Sequence, residues 1–472
     1  MTDSKFPQVH LYDQDLVELY NQSWALLEDF WQTGDSKNGW AKRFFAYSDD
    51  NVINLVDSCM STFFLVYSNN EYPATPQLDN FYSKQEENGA IRANYRLDTG
   101  EPYISPDNPE GLALPLFAWA EYNVYHKIGN KKRIKEIMPV LQKYYDWLES
   151  NFRDETGLYH APLAATSIPV ATRAETYYPL DFNAVMALNA YYMAELGDLL
   201  NDKDLSFYYK KRYFALKTRI NNMMWDEDSG LYYDLDKDKN KLTIKTLAGY
   251  WTLLTEIPGE NQIQKLIANL KDPELFGTEH PFPVISVDDA QKNPQENCIF
   301  FAVYPAYTFV LIKGLSNYGY HEMARETAMR HLYFILDTLH PGENKKGYLW
   351  EAYNPHKEGP AQCQTEGFPK QNRILHIALS TITLMIENVI GLIISLPRKT
   401  VDWIIPTLEI MGIENLYLKR NFITILTNKN NMGWEIRLES EKLYYFTIDI
   451  LGVKKKTLPI PSGKCSILID KI

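Results

Sequence analysis

The strongest constraint on this chain is that apolar side chains recur at three-and-four spacing in one stretch after another as far as Ile390. Between residues 13 and 33, Leu16, Leu19, Tyr20, Trp24, Leu27 and Phe30 or Trp31 share one side of a 3.6-residue period, the pattern of an amphipathic helix. The same spacing predicts helices near 50–68, 74–87, 110–128, 131–151, 179–200, 203–224, 243–256, 260–270, 300–318, 320–339 and 371–389. Twelve helices joined by alternating short and long connections make six hairpins, and closing these into a ring buries an apolar face on each. The expected class is mainly α, an (α/α)6 toroid. A weak internal repeat points the same way: Asp154-Glu155-Thr156-Gly157-Leu158-Tyr159 returns as Asp226-Glu227-Asp228-Ser229-Gly230-Leu231-Tyr232, and Gly347-Tyr348-Leu349-Trp350-Glu351 resembles both. Each follows a helix pair, so equivalent loops are expected to gather at one mouth of the ring.

Beyond Ile390 the texture changes to short β-rich runs, Val389–Leu396, Phe422–Thr427, Trp434–Leu438, Tyr444–Ile450 and Cys465–Ile469. The expected division is a toroid over 1–390 and a small all-β domain over 391–472. No low-complexity linker separates them, which predicts rigid docking.

Bulk properties exclude several classes. The net charge of −12 over 472 residues argues against a broad nucleic-acid or anionic-membrane surface, and Lys454-Lys455-Lys456 is too short to offset it. Cys59, Cys298, Cys363 and Cys465 lie far apart without metal-type spacing and read as reduced thiols. Met1-Thr2-Asp3-Ser4-Lys5 shows no charged-then-apolar leader, so a soluble cytoplasmic protein is expected. There is no Gly-rich phosphate loop, nucleophile elbow or dense His/Asp cluster, which predicts neither cofactor nor metal. Asp234-Leu235-Asp236-Lys237-Asp238 alternates acids but reads as a solvated turn.

Trp350-Glu351-Ala352-Tyr353-Asn354-Pro355 offers one carboxylate between two aromatic rings, and aromatics make up 14% of the chain. A carboxylate can act as base or hydrogen-bond acceptor, and flat rings suit the C–H faces of a pyranose. The competing reading is an acid that caps a Tyr-Asn-Pro turn.

With that segment stand Leu78-Asp79-Asn80-Phe81-Tyr82-Ser83-Lys84-Gln85, Leu180-Asp181-Phe182-Asn183-Ala184, Gly314-Leu315 with Tyr318-Gly319-Tyr320, and Gly412-Ile413-Glu414-Asn415-Leu416. In this order they resemble the trehalase-like glycoside hydrolases, above all the bacterial family 63 type that includes mannosylglycerate hydrolases and α-glucosidases. The resemblance covers nearly the whole chain. It implies a glycosidase, expected to be inverting, acting on a small α-glucoside or α-mannoside whose aglycone can be acidic. It implies that Glu351 is the general base toward water and that Asp57 grips sugar hydroxyls, with Val56 replacing the family's usual Trp. Gln85 and Arg92 fall in a segment that lines the pocket in such enzymes, and Trp350 and Tyr353 flank the base.

Three departures accompany the likeness. The family keeps its general acid in a Gly-x-Asp-(Asp or Asn)-Ser segment, whereas Ala164-Ala165-Thr166-Ser167-Ile168-Pro169 holds no carboxylate. Inversion needs two carboxyl groups roughly 6.5–9.5 Å apart, one donating to the leaving oxygen and one activating water. Glu175, in Arg173-Ala174-Glu175-Thr176-Tyr177, is the nearest substitute, unless Arg173 holds it as a plain ion pair. Cys298-Ile299-Phe300-Phe301 stands where relatives have Trp-Arg-Gly, and Phe368-Pro369-Lys370 where they have Gly-Trp. Both changes point to an altered substrate or lost catalysis.

Other candidates compete. Asp181 opens a helix and reads as a cap or an acceptor for backbone amides. Asp57 sits mid-helix among apolar residues, where a charge needs a partner or a polar pocket. Arg92, Arg96, Arg173, Lys370 and Arg373 could converge on a substrate carboxylate or phosphate. His160 and His376 could form the histidine pair of a sugar isomerase or epimerase, and His356 is a further candidate. Two alternatives to hydrolysis follow: a carbohydrate-binding pseudoenzyme that lost its acid, or that isomerase. The expected partner in every case is a small carbohydrate, with oligomeric state left open.

Overall fold

A helix that is apolar all round is buried on every side, whereas one with a polar stripe faces water, and the two kinds alternate along this chain. In the computed structural model, residues 5–47, 50–340, 346–405, 407–418, 421–442, 444–450, 454–460 and 462–468 are described. Met1 to Ser4, Leu451-Gly452 and Ile469 lie outside them. Each of the twelve periodic stretches contains a helix. Gln14–Leu27, Thr75–Tyr82, Lys131–Phe152, Lys203–Arg219, Glu260–Lys271 and His321–Leu339 are the odd-numbered members. Leu55–Leu65, Phe117–Ile128, Leu180–Leu200, Leu247–Thr255, Pro305–Asn317 and Ile374–Ala378, continuing to Ile390, are the even-numbered ones. Helix 131–152 buries a stripe that includes Ile134, Ile137, Met138, Leu141, Tyr145 and Leu148. Helix 180–200, by contrast, is buried continuously from Leu180 to Ala190.

The even-numbered helices contact one another in a cycle. Helix 55–65 packs on 117–128, that on 180–200, that on 247–255, that on 305–317, that on 379–390, and the last returns to 55–65. Tight links join helices 117–128, 180–200, 247–255 and 305–317 to the odd ones that follow. Gly129 takes φ 72° to end helix 117–128, and the Asn130 side chain at once accepts the Arg133 N–H to start the next. Asn201 and Asp202 repeat the device before helix 203–219. The odd-to-even links are the long ones and carry the site.

Toward the C-terminal ends of the even helices, the buried Glu387 carboxylate lies between Lys127, at 3.1 Å, and Lys313, and accepts the Tyr67 hydroxyl. Burial opposes its charge, but the two ammonium groups outweigh it and pull it down to about 2.

After Gly391 the chain forms a five-stranded and a four-stranded sheet. Thr400–Ile405, Gly412–Tyr417 and Lys454–Ile460 are strands that the sequence reading missed, and Val389 and Ile390 belong to the last helix, with the strand beginning at Leu392. The five-stranded sheet takes its edge strand from the far end of the chain: Gln8–His10 pairs antiparallel with Gly412–Tyr417, Gln8 opposite Glu414. His126 anchors the second sheet, its carbonyl accepting the Leu396 N–H at 2.8 Å and its Nδ1 lying 2.8 Å from Ser395 Oγ.

The cysteine expectation is corrected in part. Cys298 and Cys363, read as reduced thiols, are joined by a disulfide with their Cα atoms 5.3 Å apart, while Cys59 and Cys465 are free. Two cysteines 65 residues apart meet because both loops lie at the same mouth, which spacing alone does not reveal. The reading of all four cysteines as thiols therefore falls. Among the described residues no helix is long and apolar enough to cross a membrane.

Candidate functional site

The long loops enclose a cavity of about 320 Å³. Its polar lining includes Asn54, Asp57, Asn94, Ser167, Glu351 and His376, and its aromatic walls are Trp251, Tyr304 and Tyr307.

Glu351 is positioned by backbone pairing. Its N–H donates to the Lys370 carbonyl at 3.0 Å, and the Lys370 N–H donates to Glu351 Oε1 at 2.8 Å. Oε2 has no hydrogen-bond partner among the described residues. Asp57 is not mid-helix but in the first turn of helix 55–65, where its N–H is capped by the Asn54 side chain at 3.0 Å and the helix dipole favours an anion. Its Oδ1 lies 2.8 Å from His376 Nε2. Burial works against charge on the half-buried His376, but Asp57 and Glu351 outweigh it and raise the imidazole above its ordinary value. Tyr47 shares this neighbourhood. Burial, Asp57 and Glu351 push its phenol well above the usual value, and the Arg373 guanidinium lies 4.2 Å from its ring centre.

Several expected site residues are elsewhere. Glu175 is exposed and does not line the cavity, because the loop that carries it is held outside by Arg173. Arg173 is wholly buried, not at the mouth: it pairs with Asp181 at 3.1 Å and Asp234 at 2.7 Å and donates to the Ile168 carbonyl at 2.7 Å. The buried Asp234 is thus no part of a solvated turn. Asp181 accepts from the Ser167 N–H at 2.8 Å, the backbone acceptor role expected of it. Burial would raise its pKa, but Arg173 and Ser167 hold it below the usual range.

Gln85 spends its amide on the Val140 and Gly89 carbonyls, at 2.9 and 3.1 Å. Arg92 makes two 2.6 Å bonds to Glu86 and lies over the Trp147 ring. Tyr353 is fully buried with its hydroxyl accepting the Trp350 N–H, and the Trp350 ring meets Tyr348, so neither flanks the cavity. The Tyr353 ring instead packs in the core against His280 and His331. The cations do not converge: Lys370 and Arg373 share Asp50, and Arg96 lies over Tyr103. His160 stacks on Tyr177 outside the cavity and so forms no pair with His376, and His356 meets Glu279 at 3.2 Å.

Ala164, Ala165, Thr166 and Ser167, where the family resemblance puts the acid, do line the cavity and bring no carboxylate. The wall residues Tyr304 and Tyr307 escaped the sequence reading, although their i, i+3 spacing at a helix start signals a shared face.

Residues 167–368 match the mannosylglycerate hydrolase MGH1-like glycoside hydrolase domain, and residues 391–472 match the trehalase C-terminal domain. The chain belongs to the trehalase-like glycoside hydrolases of the family 63 type. This trehalase-like chain is 50% identical to a Borreliella burgdorferi protein described as uncharacterized, over 477 aligned positions covering all of both. Among solved structures, a sialidase superposes with a TM-score of 0.69 at 15% identity, covering 91% of this chain and 40% of that one. A GH63 mannosylglycerate hydrolase from Thermus thermophilus in complex with glucose gives 0.56 at 16%, covering 76% of this chain and 99% of that one. At such identities the likeness is one of fold.

Proposed function

We propose that this trehalase-like chain hydrolyses a small α-glucoside or α-mannoside with inversion, in the cavity at the mouth of an (α/α)6 toroid. The observation that carries the reading is Glu351: a carboxylate fixed through one oxygen, with the other open to a cavity walled by Trp251, Tyr304 and Tyr307. In that role Glu351 takes a proton from the attacking water, and the rings bear the sugar's C–H faces. The cyclic packing of the even-numbered helices supports the toroid, and the last helix ending at Ile390 supports a catalytic part over 1–390 with a β domain over 391–472. About 320 Å³ suits one sugar ring with a small aglycone. No Arg or Lys lines the cavity among the described residues, which favours a neutral aglycone over an acidic one.

The test is anomer-resolved NMR on a panel of α-glucosides and α-mannosides with neutral and acidic aglycones. The β-anomer appearing first supports the reading, and no turnover of any substrate ends it. A second reading, a carbohydrate-binding protein without hydrolysis, is favoured by the carboxylate-free Ala164–Ser167 wall and the exposed Glu175. Calorimetric sugar binding without turnover would select it.

A further inference from the structure

Inverting hydrolysis needs a proton donor to the leaving oxygen as well as a base. If the chain hydrolyses glycosides as proposed above, the donor has to come from the cavity's own lining. Among the described lining residues the acidic or basic side chains are Asp57, Glu351 and His376. Glu351 serves as base, and Asp57 is engaged by His376 Nε2 at 2.8 Å. Nδ1 of His376 has no hydrogen-bond partner among the described residues. We propose that His376 is the general acid, oriented by Asp57, in the role left vacant by Ala164–Ser167.

The geometry divides the two ring nitrogens. Nε2–H donates to Asp57 and fixes the ring, while Nδ1–H is the proton available to substrate, the usual logic by which one nitrogen's partner sets the task of the other. In the reaction the water oxygen bonds to the anomeric carbon and its proton passes to Glu351. The glycosidic C–O bond breaks with its electron pair on the aglycone oxygen, which takes the Nδ1 proton and leaves neutral imidazole. The products are the inverted hemiacetal and an alcohol. Solvent exchange returns Glu351 to carboxylate and His376 to imidazolium. The charged groups that face His376 are Asp57 on helix 55–65, Glu351 on its loop and Arg373 just before its own helix, with the Tyr47 phenol beside them. The two acids favour the imidazolium that the step requires, and Arg373 opposes it.

Leaving groups separate this role from a structural one, because fluoride departs without protonation whereas an alkoxide does not. His376→Gln is expected to lose about 10²–10⁴-fold in kcat on methyl glycosides, to stay within about threefold on the matching glycosyl fluoride, and to lose the basic limb of its pH profile. Asp57→Asn is expected to keep that limb but move it to lower pH, since the anion that favours imidazolium is gone. Equal losses of His376→Gln on both substrates, or an unmoved limb in Asp57→Asn, overturn the assignment. Wild-type turnover with His376→Gln unimpaired on methyl glycosides overturns it while leaving the hydrolase reading intact, and absence of wild-type turnover overturns both.

Discussion

Glu351 and Lys370 are tied together twice, by a 3.0 Å bond from the Glu351 N–H to the Lys370 carbonyl and a 2.8 Å bond from the Lys370 N–H back to Glu351 Oε1. An amide oxygen can accept the second bond as a carboxylate does, so Glu351→Gln is expected to fold normally and to lose only the base. The expected loss in kcat is about 10²–10⁴-fold, with sugar affinity nearly unchanged by calorimetry. Unimpaired turnover in this variant contradicts the assignment.

Arg173 neutralises two buried acids at once, Asp181 at 3.1 Å and Asp234 at 2.7 Å. Arg173→Ala strands both charges, and the expected destabilisation is about 3–5 kcal/mol in urea unfolding. Arg173→Lys is expected to recover only part of it, because a point ammonium cannot bridge two carboxylates as the guanidinium fork does. A loss below about 1 kcal/mol, the surface-pair range, would show that the trio is solvated.

His280 Nε2 and His331 Nδ1 are 2.7 Å apart in the core, and His331 Nε2 lies 3.0 Å from Ser380 Oγ. Burial, with help from His331, pushes His280 well below its ordinary value, and burial alone holds His331 at about 3. Unfolded histidines titrate near ~6.5, so below that pH the unfolded chain binds protons that the native state refuses. Stability is expected to fall on acidification by up to about 1.4 kcal/mol per pH unit for each histidine. Glu387, at about 2 when folded, adds a loss from about pH 5 downward. His376 has the opposite sign: its contribution is present below ~6.5 and lost as pH rises through its raised folded value. Urea midpoints between pH 4 and 9 test the sum, and a midpoint that rises from pH 6.5 to pH 4 contradicts it.

The Cys298–Cys363 disulfide closes 65 residues of chain. Exchanging both cysteines for serine is expected to cost about 2–4 kcal/mol, chiefly by freeing the unfolded chain. Peptide mapping without reductant should recover the two cysteines in one linked fragment. Thiol titration of the denatured protein finding four free thiols, not two, would dispose of the bridge.

The helices were legible because each announces itself within its own turns: Leu16, Leu19, Tyr20 and Trp24 all face the core. Glu351 was legible because its neighbours carry a recognisable pattern, and Asp57 because of its place in a family segment. What failed was long-range. Nothing local in Ala174-Glu175-Thr176 says that a buried arginine one residue earlier holds the loop away from the cavity. The contact of His376 with Asp57 spans 319 positions and no periodicity encodes it. The rings of Trp350 and Tyr353 were assigned by sequence adjacency to Glu351, but one packs on Tyr348 and the other in the core against His280. Gln8–His10 is too short to register as a strand and depends wholly on a distant partner.

That three-residue strand has a consequence for how the protein is made. Its partner, Gly412–Tyr417, leaves the ribosome only after every helix has emerged, so Gln8 to His10 wait unpaired through most of synthesis. When they dock, they cover an edge of the sheet that would otherwise be open to a strand from another molecule. A nascent or N-terminally clipped chain would expose that edge, and self-association is the hazard that the strand's arrival removes.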